Sequence, residues 1–331
     1  MLEKIREYLK EKRLIEKLQL QEPFTVEFLA QGEYNQNFVI SDGKRRYVFR
    51  LNYGSQLHLE NQIRYEYQAL KWLERTNRTP KVYYMDDTRE FFPQGLLIME
   101  FLMGGPLDYR SDLEEAALIF GEIHQQPLDE EANNFFVKEQ ATILAARVDE
   151  CQQLLASVLT SEFVPLQAQR QLADALERCD KNVGQQRFFI ELDQWSVNNT
   201  EVNSHNFIIG KKGFLIDWEK PVISHPVQDI SQFLASTTTL WRSNLILTRS
   251  EKQDFLASYL QATGFARETF EEALRIYHPY LMLRALAWSA MAYDSYQSDT
   301  KELKNQEIFE KVTSYLEEDF LRQALRERVF E

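Results

Sequence analysis

The sequence contains only two cysteines, Cys151 and Cys179, in 331 residues, with no CxxC pair and no histidine cluster beside them. That excludes a disulfide framework or a thiolate metal site as the organising feature, and leaves two structural thiols in a reducing compartment. No run of eighteen apolar residues occurs, so no segment reads as a membrane span. The first residues, Met1-Leu2-Glu3-Lys4-Ile5-Arg6-Glu7, are charged from the outset and lack the apolar core of a signal peptide, and a cytoplasmic protein is expected. Internal repeats and low-complexity tracts are also missing. Positive charge is scarce, with 38 Lys/Arg against 51 Asp/Glu and a net charge of −13. The shortage is local: residues 1–103 hold 16 basic and 15 acidic side chains, whereas residues 104–331 hold 22 and 36. Such an acidic second part argues against a nucleic-acid partner, and suits either a solvated acidic surface or a cationic ligand.

What is present is the composition of a soluble globular chain, 44% hydrophobic and 27% charged, long enough for two domains or one two-lobed fold. Leu2, Ile5, Leu9 and Ile15 to Leu18 recur at helical spacing over residues 2–18. The texture then changes to short β-type runs at 24–29, 37–40 and 46–51, broken at Gly32 and at Ser41-Asp42-Gly43-Lys44, a good hairpin turn. A helical pattern covers 57–76 and ends before Pro80, strands follow at 81–85 and 95–101, and Gly104-Gly105-Pro106 breaks the chain. Beyond that point helices are expected over 111–126, 138–158, 162–180, 227–236, 250–263, 267–297 and 301–327. One interruption stands out. Asn206 to Ile209 and Gly213 to Ile216 flank Gly210-Lys211-Lys212 and read as a β-hairpin inserted in the helical part. The expectation is therefore an α+β, bilobal protein kinase-like fold, with a small antiparallel β-rich lobe (1–103) and a mainly helical lobe (104–331).

Phosphoryl transfer is mostly positioning and charge neutralisation, needing metal ligands, a cation on the phosphates and an acceptor for the hydroxyl proton. Asp217 follows an apolar strand in Leu215-Ile216-Asp217-Trp218-Glu219, and Asn206 opens the strand before it. A carboxylate and a carboxamide at the two ends of one hairpin can converge on a magnesium ion. The plain alternative is a turn aspartate and a strand-end cap.

The run Asn199-Thr200-Glu201-Val202-Asn203-Ser204-His205-Asn206, followed by Ile216-Asp217-Trp218-Glu219 and then Gln228-Asp229-Ile230, resembles the catalytic segment of the aminoglycoside phosphotransferase and choline kinase family. That family shows His-x-Asp-x-x-x-x-Asn, then Ile-Asp-aromatic-Glu, then an Asp opening the next helix. The resemblance covers roughly residues 25 to 300 and implies ATP and Mg²⁺ as cofactors. It implies Asn206 and Asp217 as metal ligands and Asp229 as a brace beneath the catalytic loop. The sequence departs from the pattern where Asn199 stands for the His and Glu201 for the catalytic Asp. A glutamate keeps the carboxylate and adds a methylene, and a shift of about 1 Å at a reacting group costs roughly a hundredfold in rate unless compensated. Two readings stay open here: a kinase using Glu201, or a nucleotide-binding pseudokinase that senses or scaffolds.

In the first lobe, Gly32 to Asn37 lies in the turn between the first two strands, where kinases fold a loop over phosphates. Gly32 and Asn35 are candidate cofactor contacts, although the turn has one glycine and equally fits a polar hairpin. Arg50 ends the third strand where kinases place a phosphate-binding lysine, and an arginine brings the same charge with forked donors. Glu66 on the next helix, or Glu60, could pair with it; a surface salt bridge is the plain alternative. Leu97 to Leu107 resembles the strand-to-hinge segment, which implies main-chain contacts of Glu100 and Leu102 to adenine, with Met99 lining the pocket. His124 reads as a hydrogen-bonded structural histidine. Trp241, Tyr277, Tyr280, Trp288, Tyr293 and Tyr296 read mostly as core, with Trp288 and Glu219 as candidates to hold an ammonium group of the substrate. The expected activity is ATP-dependent phosphorylation of a hydroxyl on a small molecule, for which a cationic acceptor suits the acidic second part.

Overall fold

The computed structural model describes residues 1–32, 34–54, 61–298 and 306–330. Its contacts divide the chain into two units, one of Met1–Pro106 with Phe207–Pro221, the other of Leu107–Asn206 with Val222–Glu331. The hairpin that sequence reading inserts in the helical part therefore groups with the N-terminal sheet.

The first unit is built on a fully antiparallel sheet of β1 (Thr25–Gln31), β2 (Asn35–Ser41), β3 (Arg46–Asn52), β4 (Val82–Asp86) and β5 (Gly95–Glu100), in the order β1-β2-β3-β5-β4. The β2–β3 turn is held by Asp42, whose Oδ1 accepts the N–H groups of Lys44 at 2.8 Å and Arg45 at 2.6 Å, while Gly43 takes a φ of 83°. Alternation along the strands sends Phe38, Ile40, Phe49, Leu51, Leu96 and Ile98 into one core with Ile5, Tyr8 and Leu9 of α1 (Leu2–Glu11). Arg50, between Phe49 and Leu51, thereby projects from the other face. The helix expected over 2–18 breaks at Arg13, which adopts φ 52°, and resumes as the short α2 (Leu14–Lys17); this turns Leu14 and Leu18 back onto the core. α3 (Gln62–Leu73) ends in a 3₁₀ turn at Glu74–Thr76. The early part of the helix expected there, Glu60 included, lies outside the described residues, as does Glu33.

The hairpin of Phe207–Ile209 and Gly213–Leu215 is tied to the loop after β5 by reciprocal bonds between Gly105 and Ile209, at 2.9 and 2.7 Å. Glycine is required for that approach. A Cβ on Gly104 would lie 2.3 Å from the Ile209 carbonyl oxygen, and one on Gly210 would lie 2.4 Å from that of Met103.

The second unit is helical, with α4 (Leu113–His124), α5 (Glu130–Phe135), α6 (Ala145–Val158), α7 (Leu166–Lys181), α8 (Arg187–Leu192), α9 (Val227–Leu234), α10 (Ser236–Ser243), α11 (Arg249–Thr263), α12 (Arg267–Gln297), α13 (Gln306–Tyr315) and α14 (Glu318–Ala324). The long α12 matches its expected span despite Pro279 within it. Others differ: the helix expected from 138 starts at Ala145, and that over 227–236 divides where Ala235 is extended. Strands β6 (Val137–Lys138), β7 (Ser196–Asn198) and β8 (Val222–Ser224) form a small sheet that the sequence did not announce, with β8 between the other two. Cys151 and Cys179 are buried free thiols, and no described helix is long and apolar enough to cross a membrane.

Candidate functional site

In the first unit α3 gathers the charged residues. Arg50 Nη1 bonds the Glu66 carboxylate, lies 3.3 Å from Asp217 Oδ1 and 3.8 Å from Glu219 Oε1, and its Nε donates to Asn37 Oδ1 at 3.0 Å. The same helix anchors the segment after Asp217. Gln62 Nε2 donates to the Glu219 carbonyl at 2.5 Å, and the Tyr65 hydroxyl bonds the Pro221 carbonyl. Trp218 fills the core beneath, its indole N–H on the Leu215 carbonyl at 2.9 Å. Asp217 itself adopts φ 66°, an uncommon conformation that asparagine and aspartate tolerate better than most, and its side chain is 35% exposed.

Three carboxylates thus share one guanidinium, and the cluster is largely buried. Burial disfavours the charge on Arg50, but Glu66, Asp217 and Glu219 more than restore it. Burial raises Glu66 to about 6, with Arg50 opposing and Asp217 adding to the rise. Burial and the neighbouring Asp217 push Glu219 well above the carboxylate range, further than Arg50 can hold it down. Glu66 Oε2 is buried without a hydrogen-bond partner. Surplus negative charge and an orphaned carboxylate oxygen fit a cation bound at this cluster. Among the described residues no three His, Cys, Asp or Glu side chains form a metal cluster by themselves, so such an ion would need other oxygen donors.

Other candidates in this unit take defined places. Asn35 opens β2 and is buried; its amide bonds the Glu219 carboxylate, and its carbonyl oxygen accepts from Asn52 at 2.9 Å. Gly32 lies in an exposed turn with its N–H on the Asn35 carbonyl at 2.9 Å. Met99 is buried on β5, opposite Val48. The Glu100 N–H is used on the Lys81 carbonyl at 2.8 Å, and Leu102 is half-buried in the loop that follows.

The second unit holds the loop from Asn198 to Asn206. Asn198 Nδ2 spans β7 and β8, donating to the carbonyls of Ser196 at 3.1 Å and Ser224 at 3.0 Å. Asp229 on α9 is fully buried and accepts the N–H groups of Asn199 at 2.7 Å and Thr200 at 2.8 Å. Those bonds hold Thr200 at φ 69°, where a β-branched residue is a true outlier. His124 lies 3.3 Å from Asp229 on one ring nitrogen and 2.9 Å from the Tyr259 hydroxyl on the other. Asn199 is buried, and its Oδ1 accepts the Glu201 N–H at 3.2 Å, so the residue standing for the family's histidine closes the turn ahead of Glu201. Glu201 is half-buried, Asn206 buried, and Trp288 packs edge-on against Trp241 at 5.6 Å.

A feature that sequence reading missed is the ion-pair network of this unit. Arg147 pairs with Glu139 and with Glu150 at 2.9 Å, and Arg284 pairs with Glu150 at 2.8 Å. Arg284 also feels the charge of Glu201. Spacing alone offers little warning, because charges three apart on a helix read as a solvated face.

Comparison with known proteins follows this geometry. No curated protein sequence matches. Among solved structures, a protein from Ralstonia eutropha provisionally named an aminoglycoside phosphotransferase superposes with a TM-score of 0.69 at 12% identity, covering 98% of this chain and 97% of that one. The spectinomycin phosphotransferase APH(9)-Ia, in complex with ADP and spectinomycin, gives 0.60 at 11% identity over 95% and 97%. Choline kinase from Cryptosporidium parvum gives 0.61 at 14% over 95% and 96%. At such identities these likenesses establish the α+β protein kinase-like fold. The sequence profile of the phosphotransferase enzyme family, APH, matches residues 25–273, and the chain belongs to that family.

Proposed function

We propose that this protein is an ATP-dependent small-molecule kinase, transferring the γ-phosphoryl group of ATP to a hydroxyl of a small cationic acceptor. The observation that carries the reading is the cluster of the first unit, a buried guanidinium gripped by Glu66 within reach of Asp217, with negative charge to spare for a cation. Arg50 contacts the phosphates in this reading, and Glu66 fixes its direction. Asp217 would hold Mg²⁺, which when bound neutralises charge on phosphate oxygens, and Asn206 is the further ligand that the family resemblance implies. The Glu100 carbonyl and Leu102 meet the adenine edge beside Met99. Glu201, on a loop pinned through Asp229, accepts the proton of the acceptor hydroxyl. Since Glu219 is already committed to Asn35 and Arg50, the acceptor's ammonium group falls to aromatic side chains such as Trp288 and to the acidic surroundings. The ADP complex of the spectinomycin enzyme supports nucleotide binding.

The test is ADP formation by the purified protein with Mg-ATP across a panel of amino alcohols, sugars and nucleosides, with Asp217→Ala as control. Acceptor-dependent turnover that disappears in the variant is expected. A melting temperature raised by Mg-ATP without turnover on any acceptor would make the protein a nucleotide binder only. No response to millimolar Mg-ATP would overturn the nucleotide site as well.

A further inference from the structure

The second unit carries a pocket of about 370 Å³ between the end of α7, the first half of α12 and the segment after α14. Its wall includes four arginines, Arg178, Arg275, Arg326 and Arg328. That concentration runs against the composition, because acidic residues outnumber basic ones 36 to 22 over 104–331. An arginine in such surroundings readily finds a carboxylate, and Arg275 has found Glu272 at 2.7 Å. Yet among the described residues the guanidinium groups of Arg178 and Arg326 have neither an ion-pair nor a hydrogen-bond partner. Both are exposed.

A second observation lies deeper in the same wall. His278 is 1% exposed, and its Nδ1 is satisfied by the Ser231 hydroxyl at 2.9 Å. Its Nε2 is buried and faces the Glu327 carboxylate at 3.6 Å, an ion-pair distance too long for a direct hydrogen bond. Glu327 is the one carboxylate among the described residues of the wall, and its charge is already engaged, by His278 on one side and by Ser236 and Lys252 on the other. It accepts the Ser236 N–H at 3.2 Å, bonds the Ser236 hydroxyl, and lies 3.4 Å from the Lys252 ammonium. Asn182, whose amide donates to the Arg178 carbonyl at 2.8 Å, and Gln185 line the same wall.

We infer that this pocket binds a small phosphate-bearing anion, a phosphate monoester or free phosphate. Arg178 and Arg326 supply forked donors to the phosphate oxygens, and the buried imidazole is a polar group beneath them. The volume exceeds that of the phosphate alone and leaves room for a small ester group. This inference does not depend on the phosphotransfer reading.

Isothermal titration with inorganic phosphate, without nucleotide or magnesium, tests it at ionic strength held constant with chloride. The wild-type protein is expected to show one saturable site. The double variant Arg178→Ala/Arg326→Ala is expected to weaken it by about tenfold or more, with an unchanged melting temperature since both side chains are exposed. Should that variant melt early, Arg178→Lys/Arg326→Lys keeps both charges but not the forks, and a several-fold loss is expected there. Absence of a saturable site, or affinity unchanged in the variants, overturns the inference. A glycerol phosphate arm binding more tightly than inorganic phosphate would identify the occupant as an ester, and equal binding would identify it as free phosphate.

Discussion

His225 makes the protein acid-sensitive in a way that can be worked out. It is fully buried, packed against Phe189 at 5.1 Å and Phe270 at 5.8 Å, and its Nδ1 accepts the Val227 N–H at 3.1 Å. That bond fixes the remaining proton on Nε2, which is buried without a partner. A second proton would break the Nδ1 bond and place a cation in an apolar site. Burial, with a smaller push from His124, accordingly lowers its pKa from 6.5 to about 3. The unfolded chain therefore takes up a proton near pH 6.5 that the folded one refuses until about pH 3, and stability falls with pH across that window. Each pH unit is worth about 1.4 kcal/mol once the unfolded imidazole is charged, so the loss from pH 7 to pH 5 is about 2 kcal/mol. Urea unfolding of wild type and His225→Gln at pH 7, 6 and 5 isolates this contribution. Lost ring packing offsets the variant equally at every pH, so the wild-type advantage should shrink by about 2 kcal/mol on going to pH 5. Parallel pH dependences for the two proteins would refute the argument.

The charge imbalance around Arg50 predicts an asymmetry between its partners. Arg50→Met strands the Glu66 and Asp217 carboxylates together beside the neutral Glu219 and should cost about 3–5 kcal/mol, whereas Glu66→Gln leaves Arg50 the Asp217 carboxylate and should cost about 1–3. Equal losses in urea titrations would contradict the reading of surplus negative charge. Asp229→Asn turns an amide N–H toward one of the two loop N–H groups and should cost about 2–4 kcal/mol. Faster hydrogen exchange at Asn199 and Thr200 is the local sign, and unchanged protection there would show that the loop stands without Asp229.

The strands of the first unit were legible because they combine alternation with turn chemistry. Asp42-Gly43 marks the β2–β3 turn, and Tyr47, Phe49 and Leu51 mark one face of β3. The span of α12 was legible because its pattern runs on through Pro279 without a competing break. Arg50 and Glu66 could be matched from position alone, and they are paired in the structure. What sequence could not announce is structure set by distant partners. Ser196-Val197-Asn198 has no strand-like periodicity and becomes β7 because β8 pairs with it. Residues 139–144 carry no strong helix breaker, yet the helix begins only at Ala145, while Glu139 donates its N–H to Ile223 and pairs with Arg147. The commitment of Glu219 to Asn35 and Arg50 was equally invisible, since 184 residues separate Glu219 from Asn35.

The division of the chain bears on how the protein is made. When Pro106 leaves the ribosome, the nascent sheet has Arg50 and Glu66 but neither Asp217 nor Glu219, and Gln62 and Tyr65 have no carbonyls to grip. At ordinary translation speeds, roughly ten seconds pass before residues 207–221 arrive. A fragment ending at Pro106 would stay unfinished indefinitely, so no single cut divides this protein into two parts that each keep all their contacts.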